Sequence, residues 1–152
     1  MVTTPTPTDT LTIATPDCAS VRVGAEQVLR FSPPLAPFLQ FRRYALVDTA
    51  EAAPFLWLQS LEEPALALVV APYEAVCAEP APDVPEETRR ALGLGPDEMP
   101  EPFVIVCLGA DHTTSTMNLL APLFVCRRTG RARQVILDGD VGLAQTPLPV
   151  AR

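Results

Sequence analysis

At 152 residues the chain fits one domain, long enough to bury a real core and short for two. Hydrophobic residues at 48% against 19% charged mark it as globular, and a net charge of -7 excludes general affinity for nucleic acid, whose phosphates need a basic surface. No apolar run approaches the ~20 residues that cross a bilayer, and the opening MVTTPTPTDT lacks the basic region and apolar core of a secretory signal, so the reading is a soluble, cytoplasmic protein with no membrane segment.

Residues 1–8 alternate Thr and Pro and read as a flexible, extended arm ahead of a domain over 9–148, with 149–152 as a tail. Leu11 and Ile13, then Val21 and Val23, alternate with polar residues and predict two short strands about a turn at Pro16-Asp17. Val28-Leu29-Arg30-Phe31 is a third strand, stopped by Ser32-Pro33-Pro34. Phe41 to Val47 sorts Phe41, Arg43, Ala45 and Val47 to one side and Arg42, Tyr44 and Leu46 to the other. Phe55 to Ser60 follows, with the only tryptophan, Trp57, read as core or core-edge because a large ring flanked by leucines contributes most by burial. Glu62-Glu63-Pro64 turns into Ala65 to Val70, a run without polar members that suits a strand covered on both sides.

Tyr73 to Cys77 reads as a further strand. Glu86 to Leu92 is the clearest helix: Asp83 or Pro85 opens it, acids occupy its first turn, Arg89 and Arg90 lie near its end and Gly93 stops it. In a strand-rich chain it reads as a lid over one end. Phe103 to Leu108 returns to strand composition, with Cys107 expected to face the core, and Gly109 to Thr116 is a polar loop.

The stretch from Leu119 to Leu137 is a hairpin, its apolar runs Leu119 to Cys126 and Val135 to Leu137 flanking Thr129-Gly130. A two-residue loop there pairs Arg128 with Arg131, Val125 with Gln134, Phe124 with Val135 and Leu123 with Ile136. Apolar side chains on both faces of the ribbon require cover on both. Pro122 marks an edge position or a bulge. Arg127, Arg128, Arg131 and Arg133 gather at the tip, where they protect an edge or bind an acidic surface or RNA phosphate. The fold class is therefore mainly β: a single-domain antiparallel β-barrel-like fold of about eight or nine short strands with one or two short helices.

Residue types that react are scarce. His112 is the only histidine; it sits in a Thr/Ser-rich loop, and a dyad with Cys107 is the sole nucleophilic pairing on offer. Cys18, Cys77, Cys107 and Cys126 are irregularly spaced and read as reduced, apolar-like thiols. Asp138-Gly139-Asp140 is a turn. No phosphate loop, metal set or nucleophile elbow is present in the sequence, so the reading is no enzyme, no cofactor and no metal. Charge is uneven: from Asp48 to Glu101 twelve acids stand against Arg89 and Arg90. Such a segment keeps a small protein soluble or steers a basic partner and repels polyanions.

Two separated stretches, Asn118-Leu119-Leu120-Ala121-Pro122 with Gln134-Val135-Ile136-Leu137, and Trp57-Leu58-Gln59-Ser60-Leu61-Glu62-Glu63-Pro64, resemble the signatures of the FliW family of bacterial flagellar assembly factors. The chain departs from that family at Pro33-Pro34-Leu35-Ala36-Pro37-Phe38, where a glycine-containing turn is usual, and at Gln145-Thr146-Pro147-Leu148, where the family often carries a basic or histidine-containing tail. The resemblance implies two mutually exclusive partners, cytoplasmic flagellin and the translational regulator CsrA, with relief of repressed flagellin translation when CsrA is bound. An acidic surface suits a basic RNA-binding protein, and Glu62, Glu63, Glu86, Glu87, Glu98 and Glu101 are the expected partner-binding residues. The alternative is a carrier of a small hydrophobic ligand in a barrel lined by Leu66, Leu68, Val104, Val106 and Phe124, which requires a cavity of hundreds of Å3.

Overall fold

Short strands with apolar residues on alternate positions must close on themselves or be covered, and here they do both. The computed structural model describes residues 10–14, 20–24, 27–35, 38–48, 54–110 and 114–148. The Thr/Pro arm, the tail and His112 lie outside them. In chain order the elements are β1 (Thr10–Ala14), β2 (Ser20–Gly24), β3 (Val28–Phe31), β4 (Arg43–Asp48), β5 (Leu56–Ser60), β6 (Ala67–Pro72), α1 (Tyr73–Val76), α2 (Glu86–Leu92), β7 (Glu101–Cys107), β8 (Thr116–Met117), β9 (Leu123–Cys126), β10 (Arg131–Gln134) and β11 (Thr146–Pro147). β1 and β2 pair with each other; the other nine strands form one sheet in the order β11-β8-β7-β6-β5-β4-β3-β10-β9.

That sheet closes because β9 returns to β7, with Glu101 opposite Val125 and Phe103 opposite Leu123, making a barrel of seven strands. β7 thus has a divided edge: its first half takes β9 and its last two residues take β8. The neighbours around the barrel are antiparallel except β3 and β10, which run parallel, Arg131 beside Arg30 and Ala132 beside Phe31.

Alternation sorts the side chains. Leu29, Phe31, Tyr44, Leu46, Leu58, Val70, Phe103, Leu123, Val125 and Ala132 fill the interior, joined by Leu35 from the proline-rich turn after β3. Phe31 and Tyr44 meet edge to face, ring centroids 5.5 Å apart. Each of the large apolar side chains so buried contributes roughly 1.5–3 kcal/mol. The carrier reading fails on this sorting. Val104 and Val106, counted among its lining, pack outside the barrel against Tyr73 and Val76, and Phe124 packs outside against Leu92.

Four other expectations are corrected. Tyr73 to Cys77 is not a strand: Pro72 precedes the helical turn α1, and Tyr73 and Val76, three apart, both bury on the outer face of β6 and β7. α2 caps no barrel end. It lies against the flank of the hairpin, where Leu92 covers Phe124 and Cys126, the outward apolar face that the ribbon's two-sided pattern required to be covered. Its stop at Gly93 follows the sequence, with φ of 72° and the Gly93 N–H donating to Arg90.

The hairpin loop spans 127–130, not two residues, so Arg131 opposes Cys126 and Gln134 opposes Leu123, two positions from the expected register. A two-residue hairpin turn of either usual type asks for positive φ at its first position, which a β-branched threonine resists; here Gly130 takes φ 72° and its N–H reaches Cys126 O at 2.9 Å. Val135 to Leu137 therefore falls beyond β10, and Pro122 stands just before β9, its carbonyl accepting from Val135 at 3.0 Å. Cys107 shares the inward parity of Phe103 and Ile105 but is the last residue of β7, and it is exposed.

Candidate protein interface

The two signature stretches work on the protein's own backbone. Ser60 Oγ accepts from the N–H groups of Glu62 and Glu63, both at 3.0 Å, and Gln59 Nε2 donates to the carbonyls of Pro64 and Leu66 at 3.1 Å. Glu62 Oε1 accepts from Arg42 N at 2.7 Å and Arg43 N at 3.2 Å, tying the β5–β6 turn to the start of β4. Those N–H groups, Arg42 first, hold the Glu62 carboxyl below the usual carboxylate range. Glu63 Oε2 accepts from Ala65 N at 3.1 Å. In the second stretch, Asn118 Oδ1 accepts from Leu120 N at 3.0 Å and Ala121 N at 3.1 Å, an Asx turn that sets up β9.

Of the six glutamates expected to face a partner, four come together. Glu86 and Glu87 stand on α2, and Glu98 and Glu101 follow it, all on the flank that holds the hairpin tip. Glu62 and Glu63 stand apart from these four, in the β5–β6 turn beside Arg43.

The flank is a mixed network. Arg128 grips Glu98, Arg127 Nε meets Glu101 at 2.6 Å, Arg133 Nη2 meets Glu87 at 3.1 Å, and Glu86 pairs with Arg90 at 3.4 Å along the helix. Arg128 and then Gly95 N–H hold the Glu98 carboxyl at about 2. Three donors of the tip also serve the C-terminal carbonyls of α2: Thr129 Oγ1 reaches Leu92 O at 2.8 Å, Arg128 Gly93 O at 2.7 Å and Arg131 Ala91 O at 3.4 Å. Arg89 threads the 95–98 loop, donating to Gly95 O at 2.7 Å and Glu98 O at 3.0 Å. The tip arginines therefore clamp α2 to the hairpin, a use that sequence reading missed. Of these four, Glu86 and Glu87 are the more open, their side chains 69% and 81% exposed against 32% for Glu98 and 51% for Glu101.

A second surface was also missed. Phe55, Leu56, Trp57, Val69 and Leu108 line an apolar cleft of about 100 Å3 on the outside of the barrel. Trp57 is half-buried there against Ala45, Val47 and Leu61, the core-edge position its leucine neighbours indicated, while Leu108 at the rim is 58% exposed. The cleft has room for one apolar side chain of a partner.

Among the described residues nothing assembles a reactive centre. No group of three His, Cys, Asp or Glu side chains is placed to hold a metal ion there, and Cys77, Cys107 and Cys126 are free thiols. Burial, then a hydrogen bond with Cys77, pushes the Tyr73 hydroxyl up to about 12, away from any use as a base near neutrality. Asp140 caps the short 3-10 turn Val141–Gln145, accepting from Gly142 N at 2.8 Å, as suits a turn residue. No described helix is long and apolar enough to cross a membrane.

Comparison with known proteins follows the same outline. The family model described as FliW protein matches residues 12–148. The chain is 32% identical over 127 residues to a flagellar assembly factor FliW of Leptospira interrogans, covering 82% of this chain and 83% of that protein. It is 36% identical over 117 residues to the FliW of Heliobacterium modesticaldum, covering 76% of each. A crystal structure of the flagellar assembly factor FliW superposes with a TM-score of 0.76 at 24% identity, over 90% of this chain and 94% of that one, a likeness of fold.

Proposed function

The chain belongs to the FliW family of flagellar assembly factors, and from that membership we propose that it binds cytoplasmic flagellin and the translational regulator CsrA in mutually exclusive fashion. Free of flagellin, it takes up CsrA and relieves repression of flagellin translation; it transforms no substrate and carries no cofactor. The observation that carries this reading is the family match across residues 12–148 on a barrel whose interior is filled. A filled barrel suits a protein that works through its exterior.

The acidic residues support the CsrA half. An RNA-binding regulator is basic, and opposite charge raises the rate of encounter. We assign CsrA to the α2 flank, where Glu86 and Glu87 project beyond the clamped Glu98 and Glu101, with Glu62 and Glu63 as a separate acidic point in the β5–β6 turn. The apolar cleft at Trp57 supports protein recognition more generally, because interfaces are anchored by apolar side chains seated in pockets.

The deciding experiment is a pull-down with purified flagellin and CsrA, each offered alone and in competition. Retention of each, with either displacing the other, is expected. Failure to retain either would remove this reading and leave the fold untouched. Charge reversal at Glu86 and Glu87 together is expected to slow CsrA association and reduce its salt dependence; unchanged kinetics would move the CsrA surface elsewhere.

A further inference from the structure

Three arginines stand side by side on the outer wall of the barrel. Arg30 of β3 has Arg43 of β4 as its partner on one side and Arg131 of β10 on the other, so one row across three strands carries three guanidinium groups. All three are exposed, and their parity is outward, opposite to that of Leu29, Tyr44 and Ala132 in the core. Like charges set directly opposite on neighbouring strands oppose sheet formation. On a chain of net charge -7 this row is the exception.

The ends of the row are partly satisfied. Arg43 lies 3.8 Å from Glu62, and Arg131 donates to Ala91 O at 3.4 Å. Its centre is not: the Arg30 guanidinium has no hydrogen-bond or ion-pair partner among the described residues, and it senses Glu62 only at a distance. The repulsion is therefore left standing at the centre, open to an outside anion.

We infer that the Arg43-Arg30-Arg131 row is a docking site for a short acidic peptide segment of a partner protein. Carboxylates fit it by charge and by shape, since a guanidinium offers paired donors to a carboxylate. Strands lie about 4.8 Å apart and alternate side chains of an extended peptide about 6.7 Å apart, so two or three acidic side chains reach the row's width. Length decides between a peptide and a nucleic acid. The row is three strands wide: Glu62 stands beside Arg43 at one end, and past Arg131 at the other the sheet continues with Cys126, not with a further cation. A phosphate backbone running on past three arginines meets no fourth cation in the row and one carboxylate, whereas a short peptide ends within its width. This site does not depend on the flagellin or CsrA reading.

The test uses fluorescein-labelled pentaglutamate, three of whose side chains lie on one face, and the full chain, with binding followed by fluorescence anisotropy at low and at moderate salt. Saturable binding that weakens with salt is expected, and Arg30→Glu is expected to weaken it about tenfold. Arg90→Glu makes the same charge change at an exposed site on α2, off the row, and is expected to alter affinity by less than about threefold. Circular dichroism and a thermal melt of each variant confirm a folded protein; should Arg30→Glu misfold, Arg30→Ser serves in its place. Absence of binding, equal loss in Arg30→Glu and Arg90→Glu, or tighter binding of a three-nucleotide single-stranded RNA than of the peptide would each overturn the inference.

Discussion

Arg128 holds Glu98 through two nitrogens, Nε to Oε2 at 3.0 Å and Nη2 to Oε1 at 2.7 Å, while the same Nη2 reaches Gly93 O at 2.7 Å. One side chain thus joins the hairpin tip, the end of α2 and the loop that follows it. Its geometry is the paired contact that makes arginine better than lysine here, and lysine occurs nowhere in the chain.

The first prediction concerns acid. The Glu98 carboxyl titrates at about 2 in the folded protein against an ordinary 4.5, so its charge is favoured by folding. A lowered value gives stability that is fully present above pH 4.5 and is lost as pH falls through 2. Glu98→Gln lacks that contribution at every pH. Urea midpoints of the two proteins, taken from pH 7 downwards, are expected to differ near neutrality and to converge across that window. A difference that stays constant down to pH 2 would contradict the assignment.

The second concerns the middle of the core. Tyr44 is fully buried, burial and then Glu62 push its hydroxyl up, and Oη has no hydrogen-bond partner among the described residues. A buried polar group left unmade costs about 1–3 kcal/mol. Tyr44→Phe keeps the edge-to-face contact with Phe31 and removes the orphan oxygen. Chemical denaturation is expected to show stability unchanged or raised by about 1 kcal/mol. A loss of the same size would mean that the hydroxyl is satisfied after all.

Much of the barrel was legible because strands announce themselves locally. Val28 to Phe31 and Glu86 to Leu92 were bounded correctly by proline, glycine and alternation, and the two-sided apolar pattern of Leu123 to Cys126 required cover on both faces before any cover was known. The misread parts depend on contacts distant in sequence or on a turn's detailed torsions. Arg127, Arg128 and Arg133 find Glu101, Glu98 and Glu87 at separations of 26, 30 and 46 residues, so a cluster that reads as a free basic tip is a clamp. Likewise, no local pattern aligns Arg30 with Arg43 and Arg131, because the parallel pairing of β3 with β10 exists only once the barrel has closed.

Glu62 separates two readings of one residue, giving the third prediction. If its carboxylate holds the N–H groups of Arg42 and Arg43, Glu62→Ala is expected to lower stability by about 1–2 kcal/mol, whereas Glu62→Gln, whose amide oxygen still accepts, loses less than half of that. A residue kept only for a partner would show no stability change in either variant. Thermal melts of the two proteins, with Glu63→Gln as a neighbouring control, decide the matter.

The last prediction follows from the clamp. α2 has seven residues, too few to hold itself together as a helix, so it persists because Leu92 is buried to 1% exposure over Phe124 and Cys126 and because the tip arginines hold its end. Leu92→Ala removes the apolar contact and leaves the ion pairs, and is expected to cost about 2–5 kcal/mol. The helix should then lift more often, and the Cys126 thiol, 4% exposed beneath it, should react faster with a thiol reagent. Cys107 is already exposed and provides the internal reference, its rate expected to stay constant. If Cys126 remains as slow in Leu92→Ala as in the parent while stability falls, the loss has spread through the whole barrel, and α2 does not open as a separate unit.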